Sequence, residues 1–129
     1  MGREKIHIEY PLNATSKGIL WNAISNPSGL EGWFADRVKN TDEGLFTFYW
    51  GKSESRIAEM VGQRQFSYIR FHWLDDENKS EYFELKMSHT ELTDDYVLEI
   101  TDFAEEDEVD DLCELWDSQV DTLRRTCGF

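Results

Sequence analysis

The residues that could carry chemistry in this 129-residue chain are three histidines, two cysteines and many carboxylates. His7, His72 and His89 fall in three separate predicted strands, without the close spacing typical of a metal site. Cys113 and Cys127 lie on the apolar side of one predicted helix, where a cysteine acts as a small hydrophobic residue rather than a nucleophile. The sequence has no nucleophile-elbow serine and no glycine-rich phosphate loop. We therefore expect no catalytic residue, no metal and no cofactor.

Arg70 and His72 are the polar interruptions of an apolar predicted strand, 66–74. Because successive side chains of a strand face opposite sides of the sheet, both lie on the side opposite to Phe71 and Trp73. We expect them on the outer, solvent-exposed face of the sheet, because charged side chains are rarely buried without a partner. The alternative is that both point inward, where they would position an anionic or carbonyl-bearing ligand.

The charge balance limits the class of partner. Thirteen basic and 27 acidic residues give a net charge of −14. Nucleic acid and anionic membrane surfaces are bound through lysine and arginine, so this balance argues against both. The excess of acidic residues either keeps a small protein soluble, which is its general effect, or forms a docking face for a basic protein partner.

The sequence carries no signal for export or membrane insertion. Residues 1–10 lack the apolar core of a signal peptide, and no apolar run approaches the roughly 18 residues of a membrane span. Cys113 and Cys127 lie 14 positions apart on one predicted helix, a separation of about 21 Å that is too long for a disulfide. We expect two free thiols and a soluble, cytoplasmic, single domain over residues 1–129; a homodimer stays open.

The last stretch, 107–127, predicts a long amphipathic helix. Its apolar residues recur at spacings of three and four and form one stripe, while acidic residues fill the first turn and two arginines the last. At about 1.5 Å per residue this helix is roughly 30 Å long, and its apolar side needs a sheet to lie across. The stripe consists of Val109, Leu112, Cys113, Trp116, Val120, Leu123 and Cys127.

The preceding residues predict that sheet. Residues 5–10 alternate as a first strand closed by Pro11, a helix of about ten residues follows, and a second short helix runs from Pro27 to Gly32. From there to residue 103 the chain reads as six consecutive strands separated by turn residues, an antiparallel meander. Such a meander twists and curls, and the last helix is long enough to cover its concave face. The predicted fold is α+β: a curved antiparallel sheet of six to seven strands wrapped around a long C-terminal helix, with two short helices after strand 1.

These motifs resemble the START-like, or Bet v 1-like (SRPBCC), helix-grip superfamily, and within it the branch of activator-of-Hsp90-ATPase homologues. Residues 20–34 match that branch's Leu-Trp-x-Ala-Ile, Asn-Pro and Trp-Phe signature, and residues 44–48 match its Gly-x-Phe-x-Phe strand. Residues 57–73 resemble its strand pair, and 115–123 its closing helix, with Leu115 where the family usually has glycine. The resemblance implies a helix-grip fold. Family members include ligand carriers, cyclase-like enzymes and co-chaperones, so the resemblance does not select a function.

A helix-grip fold implies a pocket between the sheet and the last helix, lined by apolar side chains. The alternative is that the same side chains fill the space as core, because packed interiors seldom tolerate voids. The predicted lining consists of Trp116, Val120 and Leu123 from the helix, Phe48, Phe71, Trp73, Phe83, Leu85 and Leu98 from the strands, and Trp33 and Phe34 at the mouth.

Two functions are compatible with this fold. The first, which we favour, is a non-enzymatic START-like module that binds a small hydrophobic or amphipathic ligand between the sheet and the C-terminal helix. The second is a protein-interaction domain, similar to the family's co-chaperones, that meets a basic partner through its acidic surface and holds no ligand. An enzyme is the least expected, because no acid–base pair is recognisable.

Overall fold

One antiparallel sheet and three α-helices make up the fold in a computed structural model that describes residues 2–14, 16–41, 43–78 and 80–129. The predicted order of one strand, two helices, six strands and a long helix is confirmed. A short 3-10 turn, Glu106–Glu108, precedes the last helix. The elements are β1 (Arg3–Leu12), α1 (Lys17–Ser25), α2 (Pro27–Leu30), β2 (Arg37–Asn40), β3 (Leu45–Trp50), β4 (Glu54–Arg64), β5 (Tyr68–Trp73), β6 (Phe83–Thr90), β7 (Asp95–Glu105) and α3 (Val109–Cys127).

The seven strands pair in the spatial order β1-β7-β6-β5-β4-β3-β2. Strands β2 to β7 form the predicted meander, and β1 returns to pair with β7 along its whole length, from Arg3 opposite Glu105 to Leu12 opposite Tyr96. The ladder between β4 and β5 shifts register at residues 60–62, and a bulge of this kind increases bend and twist. The sheet is curved, as predicted, and the core lies on its concave face.

Several element boundaries differ from the sequence prediction by one or more residues, and three of these differences have a clear structural reason. β1 continues through Pro11 to Leu12, because β1 is an edge strand, where the missing proline N–H need not break a ladder bond. Helix α2 ends at residue 30 rather than at Gly32, whose φ is 95°. β5 begins at Tyr68 rather than at Phe66, because Phe66 takes a left-handed φ of 61° in the preceding turn.

Helix α3 lies against the sheet through one stripe. Trp116, Val120 and Leu123 are buried and belong to the same core as the inward side chains of the strands. The helix ends at Gly128, whose φ of 73° is left-handed and whose N–H bonds the carbonyl oxygen of Arg124. The predicted helix, its stripe and its end are confirmed. Within the described residues, no helix is both long and apolar enough to cross a membrane.

A tight corner between α1 and α2 places Trp33 and Phe34 beside the sheet. The corner is close because Gly29 lies on the backbone of α1: a Cβ added there would lie 1.9 Å from the carbonyl oxygen of Asn22. The indole N–H of Trp33 then donates to the carbonyl oxygen of Ala23 at 2.9 Å. The absence of a side chain at residue 29 therefore sets the position of the two aromatic residues that follow.

Substituting Gly29→Ala should destabilise the protein by at least about 2 kcal/mol, because the new methyl group overlaps backbone atoms that cannot rotate away. The matched control is Gly18→Ala in α1, where the nearest atom would be 4.0 Å away. That change should stabilise by about 0.5 kcal/mol, since alanine favours helix. Urea unfolding measures both variants, and similar free energies of unfolding for the two would contradict the tight corner.

Candidate ligand-binding pocket

A pocket opens between the sheet and the N-terminal half of α3. Its volume is about 330 Å³, at the small end of the range for small-molecule sites. Its walls come from the loop after α2, from strands β3 to β7 and from α3. The lining residues are Phe34, Trp50, Glu54, Arg56, Trp73, Phe83, Asp102, Leu112, Leu115, Trp116 and Gln119.

The predicted lining residues divide into two groups. Phe34, Trp73, Phe83 and Trp116 border this pocket. The other seven lie in the core, where Trp33 is 5% exposed and the remaining six have no exposed surface. Side chains therefore fill the core around Val120 and Leu123, and a pocket is open beside Trp116, so each of the two alternatives describes part of the space under α3. The seven core residues are Trp33, Phe48, Phe71, Leu85, Leu98, Val120 and Leu123.

The apolar wall of the pocket is a set of stacked aromatic rings. Phe34 stacks on Phe83, with ring centroids 5.4 Å apart, and on Trp116 at 5.6 Å. Trp73 also stacks on Phe83, at 5.0 Å, and Trp50 lies beside Trp73 at 6.2 Å. Because aromatic pairs favour such defined arrangements, the wall has a fixed shape before any ligand arrives.

The backbone of Phe34 ties the mouth of the pocket to both layers of the fold. Its carbonyl oxygen accepts one hydrogen bond from the indole N–H of Trp50, at 2.8 Å, and another from the side-chain amide of Gln119, at 3.0 Å. The first donor belongs to β3 and the second to α3. Both lone pairs of this oxygen are therefore used to hold the loop between the sheet and the helix.

Asp102 brings a carboxylate into the pocket. It lies on β7 in phase with the buried core positions of that strand, so its side chain faces inward. Its Oδ2 accepts from the indole N–H of Trp116 at 3.0 Å, and its Oδ1 accepts from the backbone N–H of Phe103 at 2.8 Å. Burial raises the pKa of Asp102 to about 6, because desolvation outweighs these hydrogen bonds and the weaker attraction of Arg3 and Arg56.

Arg56 borders the pocket from β4, and its charge is already compensated. The guanidinium lies over the ring of Trp73, 4.0 Å from the centroid, and forms two hydrogen bonds with Asp75, at 2.7 and 3.0 Å. This ion pair lowers the pKa of Asp75. A second cavity of about 510 Å³ shares Arg56, Trp73, Asp102 and Leu112 with the first. These four side chains therefore separate an aromatic compartment from a more polar one.

Sequence reasoning missed Asp102, although the strand pattern contained the signal. The inward alternation of Leu98 and Ile100 in β7 continues to residue 102. An acidic residue at an inward position of an otherwise apolar face indicates a polar group in the core or in a pocket. Following the alternation two residues further would have placed this carboxylate under α3.

The other missed residues depend on strand register or helix packing. Trp50 continues the alternation of β3, whereas Glu54 and Arg56 face inward because they lie opposite Trp50 and Phe48. That register follows from the turn at residues 51–53 and is not visible in β4 itself. On α3, Leu112 belongs to the predicted stripe, while its pocket neighbours at positions 115 and 119 lie outside the stripe and no sequence pattern indicated them.

Arg70 and His72 lie on the outer face of the sheet, as expected. Arg70 pairs with Glu84 at 2.8 Å, and its guanidinium lies 4.0 Å from the ring centroid of Tyr82. The Nδ1–H of His72 donates to the carbonyl oxygen of Glu81 at 2.8 Å. The alternative, in which both side chains point inward and position an anionic ligand, is therefore wrong.

His7, Glu9 and Glu99 come together on the outer face of the sheet, with potential ligand atoms within 4.8 Å of one another. The sequence did not indicate this group, because the pairing of β1 with β7 creates it. The Nε2 of His7 lies 3.1 Å from a carboxylate oxygen of Glu99, and two of the three residues are exposed. A surface hydrogen bond accounts for the cluster without an ion.

Both cysteines are free, half-buried thiols on α3. Burial raises the pKa of Cys113, an effect increased by nearby acidic residues, and burial also raises the pKa of Cys127. A thiol with a raised pKa stays protonated and is a weak nucleophile. The prediction that these cysteines act as small hydrophobic residues agrees with this environment.

A curved antiparallel sheet that packs around one long C-terminal helix, with a pocket between them, defines the helix-grip class of fold. The family model that matches is described as a START-like superfamily domain, and it covers residues 1–129. The chain belongs to the START-like superfamily. The resemblance noted in the sequence is thereby confirmed.

Several solved structures share this fold. BfR322 from Bacteroides fragilis, a solution NMR structure, is 68% identical, with coverage of 100% of this chain and 94% of that chain and a TM-score of 0.69. The Aha1 dimer from Colwellia psychrerythraea is 12% identical over 93% of this chain and 92% of its own, with a TM-score of 0.75. DynU16, a protein in the dynemicin biosynthetic locus, is 15% identical over 94% of this chain and 46% of its own, also at 0.75. At such identities the last two show the fold alone. The comparison with curated proteins found no match.

The raised pKa of Asp102 predicts a pH-dependent contribution to stability. Between about pH 4 and pH 6 the folded protein retains a proton on Asp102 that the unfolded chain has released, so this contribution falls as the pH rises through that range. The variant Asp102→Asn removes the titration. The free energy of unfolding of the wild type, relative to this variant, should fall by about 2 kcal/mol between pH 4 and pH 7.

Urea unfolding at four pH values from 4 to 7 measures this difference. Asp111→Asn is the matched control, because it removes an exposed carboxylate from the first turn of α3. The difference in the free energy of unfolding between the wild type and this control should not change comparably with pH. A difference for Asp102→Asn that stays constant with pH, or that changes in the opposite direction, would contradict the half-buried position of the carboxylate beside Trp116.

Proposed function

We propose that this chain is a non-enzymatic binding module that holds a small apolar or amphipathic molecule between the sheet and α3. The observation that carries the proposal is the pocket beside Trp116, where a preformed aromatic wall meets the polar side chains of Asp102 and Arg56. Apolar walls with a few placed polar groups are the usual composition of a small-molecule site. The family resemblance supports the proposal, since ligand carriers are among the members of the superfamily.

The predicted lining residues take two roles in this proposal. Phe34, Trp73, Phe83 and Trp116 contact the ligand. The seven core residues named above are buried and do not border the pocket. The pocket beside the N-terminal half of the helix has a volume of about 330 Å³, so the ligand it holds is small.

A titration with 4-phenylbutan-1-ol, a neutral amphipathic probe, tests the proposal in ¹H–¹⁵N NMR spectra. We expect chemical-shift changes at the lining residues, including the indole N–H signals of Trp50 and Trp116. Because binding to the folded state stabilises it, a free probe concentration ten times the Kd should add about 1.4 kcal/mol. That stabilisation corresponds to a rise in Tm of roughly 3–6 °C for a domain of this size.

Two tryptophan substitutions provide the matched variants. Leu115 lines the pocket but is 53% exposed, so Leu115→Trp should fill the opening without disturbing the core. Leu92→Trp places the same ring in the turn between β6 and β7, at a residue that is 97% exposed and that does not line this pocket. Leu115→Trp should no longer bind the probe, whereas Leu92→Trp should bind it as the wild type does. No shifts at the lining residues of the wild type, or equal binding to both variants, would contradict the proposal.

A docking face for a basic protein is the second candidate. The observation that favours it is the outer side of α3, where five carboxylates are exposed: Asp110, Asp111, Glu114, Asp117 and Asp121. Contacts between exposed charges weaken as salt screens them. A basic protein that binds wild type and Leu115→Trp equally, and dissociates at moderate salt, would support this candidate over the ligand pocket. A second copy of this chain carries the same acidic face, so we propose no homodimer through it.

A further inference from the structure

The polar groups of the pocket differ in whether their charge is compensated. Arg56 is engaged by Asp75 through two hydrogen bonds. Asp102 accepts only from two uncharged N–H groups in the described part of the chain, where no lysine or arginine nitrogen lies within 4.0 Å of its carboxylate. Glu54 adds a second carboxylate to the lining from β4. The charge that the pocket leaves uncompensated is therefore negative.

The apolar lining of the same pocket is mainly aromatic. Ring faces carry partial negative charge and attract cations, and tryptophan does so most strongly. One wall of the pocket already makes such a contact, because the guanidinium of Arg56 lies 4.0 Å from the ring centroid of Trp73. The rings of this pocket are Phe34, Trp50, Trp73, Phe83 and Trp116.

We infer that the pocket selects an organic cation: an amphipathic amine whose ammonium group pairs with Asp102 and whose apolar body lies on the aromatic wall. This inference rests on the proposed function and adds the charge of the ligand to it. The volume of about 330 Å³ limits the amine to one short apolar body. The net charge of −14 also favours cations, because it raises their concentration near the protein surface.

An anionic ligand fits the same pocket poorly. Its head group would lie close to Asp102 and Glu54, which repel it, and Arg56 would have to leave Asp75 in order to bind it. A neutral amphipath avoids this repulsion, yet it covers the carboxylate of Asp102 without supplying a countercharge. An ammonium group supplies that countercharge together with a charge-assisted hydrogen bond.

Three probes with the same ring and chain but different head groups test the inference: 4-phenylbutylamine, 4-phenylbutan-1-ol and 4-phenylbutyrate. Their affinities are measured at pH 7.5 by NMR titration, with the indole N–H signals of Trp50 and Trp116 reporting binding in the pocket. We expect the amine to bind at least about tenfold more tightly than the alcohol, a difference typical of one charge-assisted contact. The carboxylate should bind most weakly of the three.

Two charge-removing variants separate a specific pair from the general attraction of an acidic protein. Asp102→Asn should abolish the preference for the amine over the alcohol, so that the two probes bind this variant about equally. Asp111→Asn removes the same charge from the exposed first turn of α3 and should keep the preference. The thermal unfolding transition of each variant checks that it is folded.

The outcomes distinguish the charge of the ligand from the existence of the site. Equal affinity for amine and alcohol in the wild type, tightest binding of the carboxylate, or a preference for the amine that survives in Asp102→Asn would each overturn the inference and leave the ligand pocket standing. If none of the three probes shifts the signals of the lining residues, both the inference and the proposed function fail.

Discussion

The arrangement of this molecule depends on the burial of one side chain, Trp116. Its ring is 3% exposed and stacks on Phe34, while its indole N–H donates to the carboxylate of Asp102. The three residues belong to α3, to the loop after α2 and to β7, so one side chain joins the helix to two other parts of the fold. Together with the hydrogen bond from Gln119 to the carbonyl oxygen of Phe34, these contacts set the distance between the N-terminal half of α3 and the sheet.

The same constraint explains why the aromatic pocket lies beside the N-terminal half of the helix. Val120 and Leu123 have no exposed surface and belong to the same buried core as Phe48 and Phe71. Beside Trp116 the aromatic rings are locked against one another and against the carbonyl oxygen of Phe34. Rings held in this way cannot collapse inward, so the space between the rings, Arg56 and Asp102 stays open.

The fold was largely predictable from the sequence, because its signals are local. The stripe on α3 and the alternation along the strands each fix which face of an element is buried, and a single long amphipathic helix leaves few ways to cover a curled meander. The errors at Pro11, Gly32 and Phe66 concern boundaries. They arise from an edge position and from backbone conformations that residue type alone does not specify.

The site was less predictable, because it depends on relations between elements. Apolar residue types and their alternation along the strands identified the residues that face the space between the sheet and α3. They did not show which of these residues are packed in the core and which border a pocket. That distinction requires the position of α3 along the sheet, which Trp116 and Phe34 determine together. Arg56 faces inward through the register of β4 against β3, which no pattern within β4 reveals. Asp102 was the exception, because the alternation of inward residues along β7 was enough to predict that its side chain faces α3.

Trp116 holds the half-buried carboxylate of Asp102 at the edge of an open pocket, and an NMR pH titration of the indole N–H signals tests this arrangement most directly. The signal of Trp116 should shift with a midpoint near pH 6, because its hydrogen-bond acceptor is the carboxylate of Asp102. The signal of Trp33, which donates to the backbone carbonyl of Ala23, should not follow that transition. A Trp116 signal that shows no transition, or one near pH 4 as for a solvated carboxylate, would contradict the account.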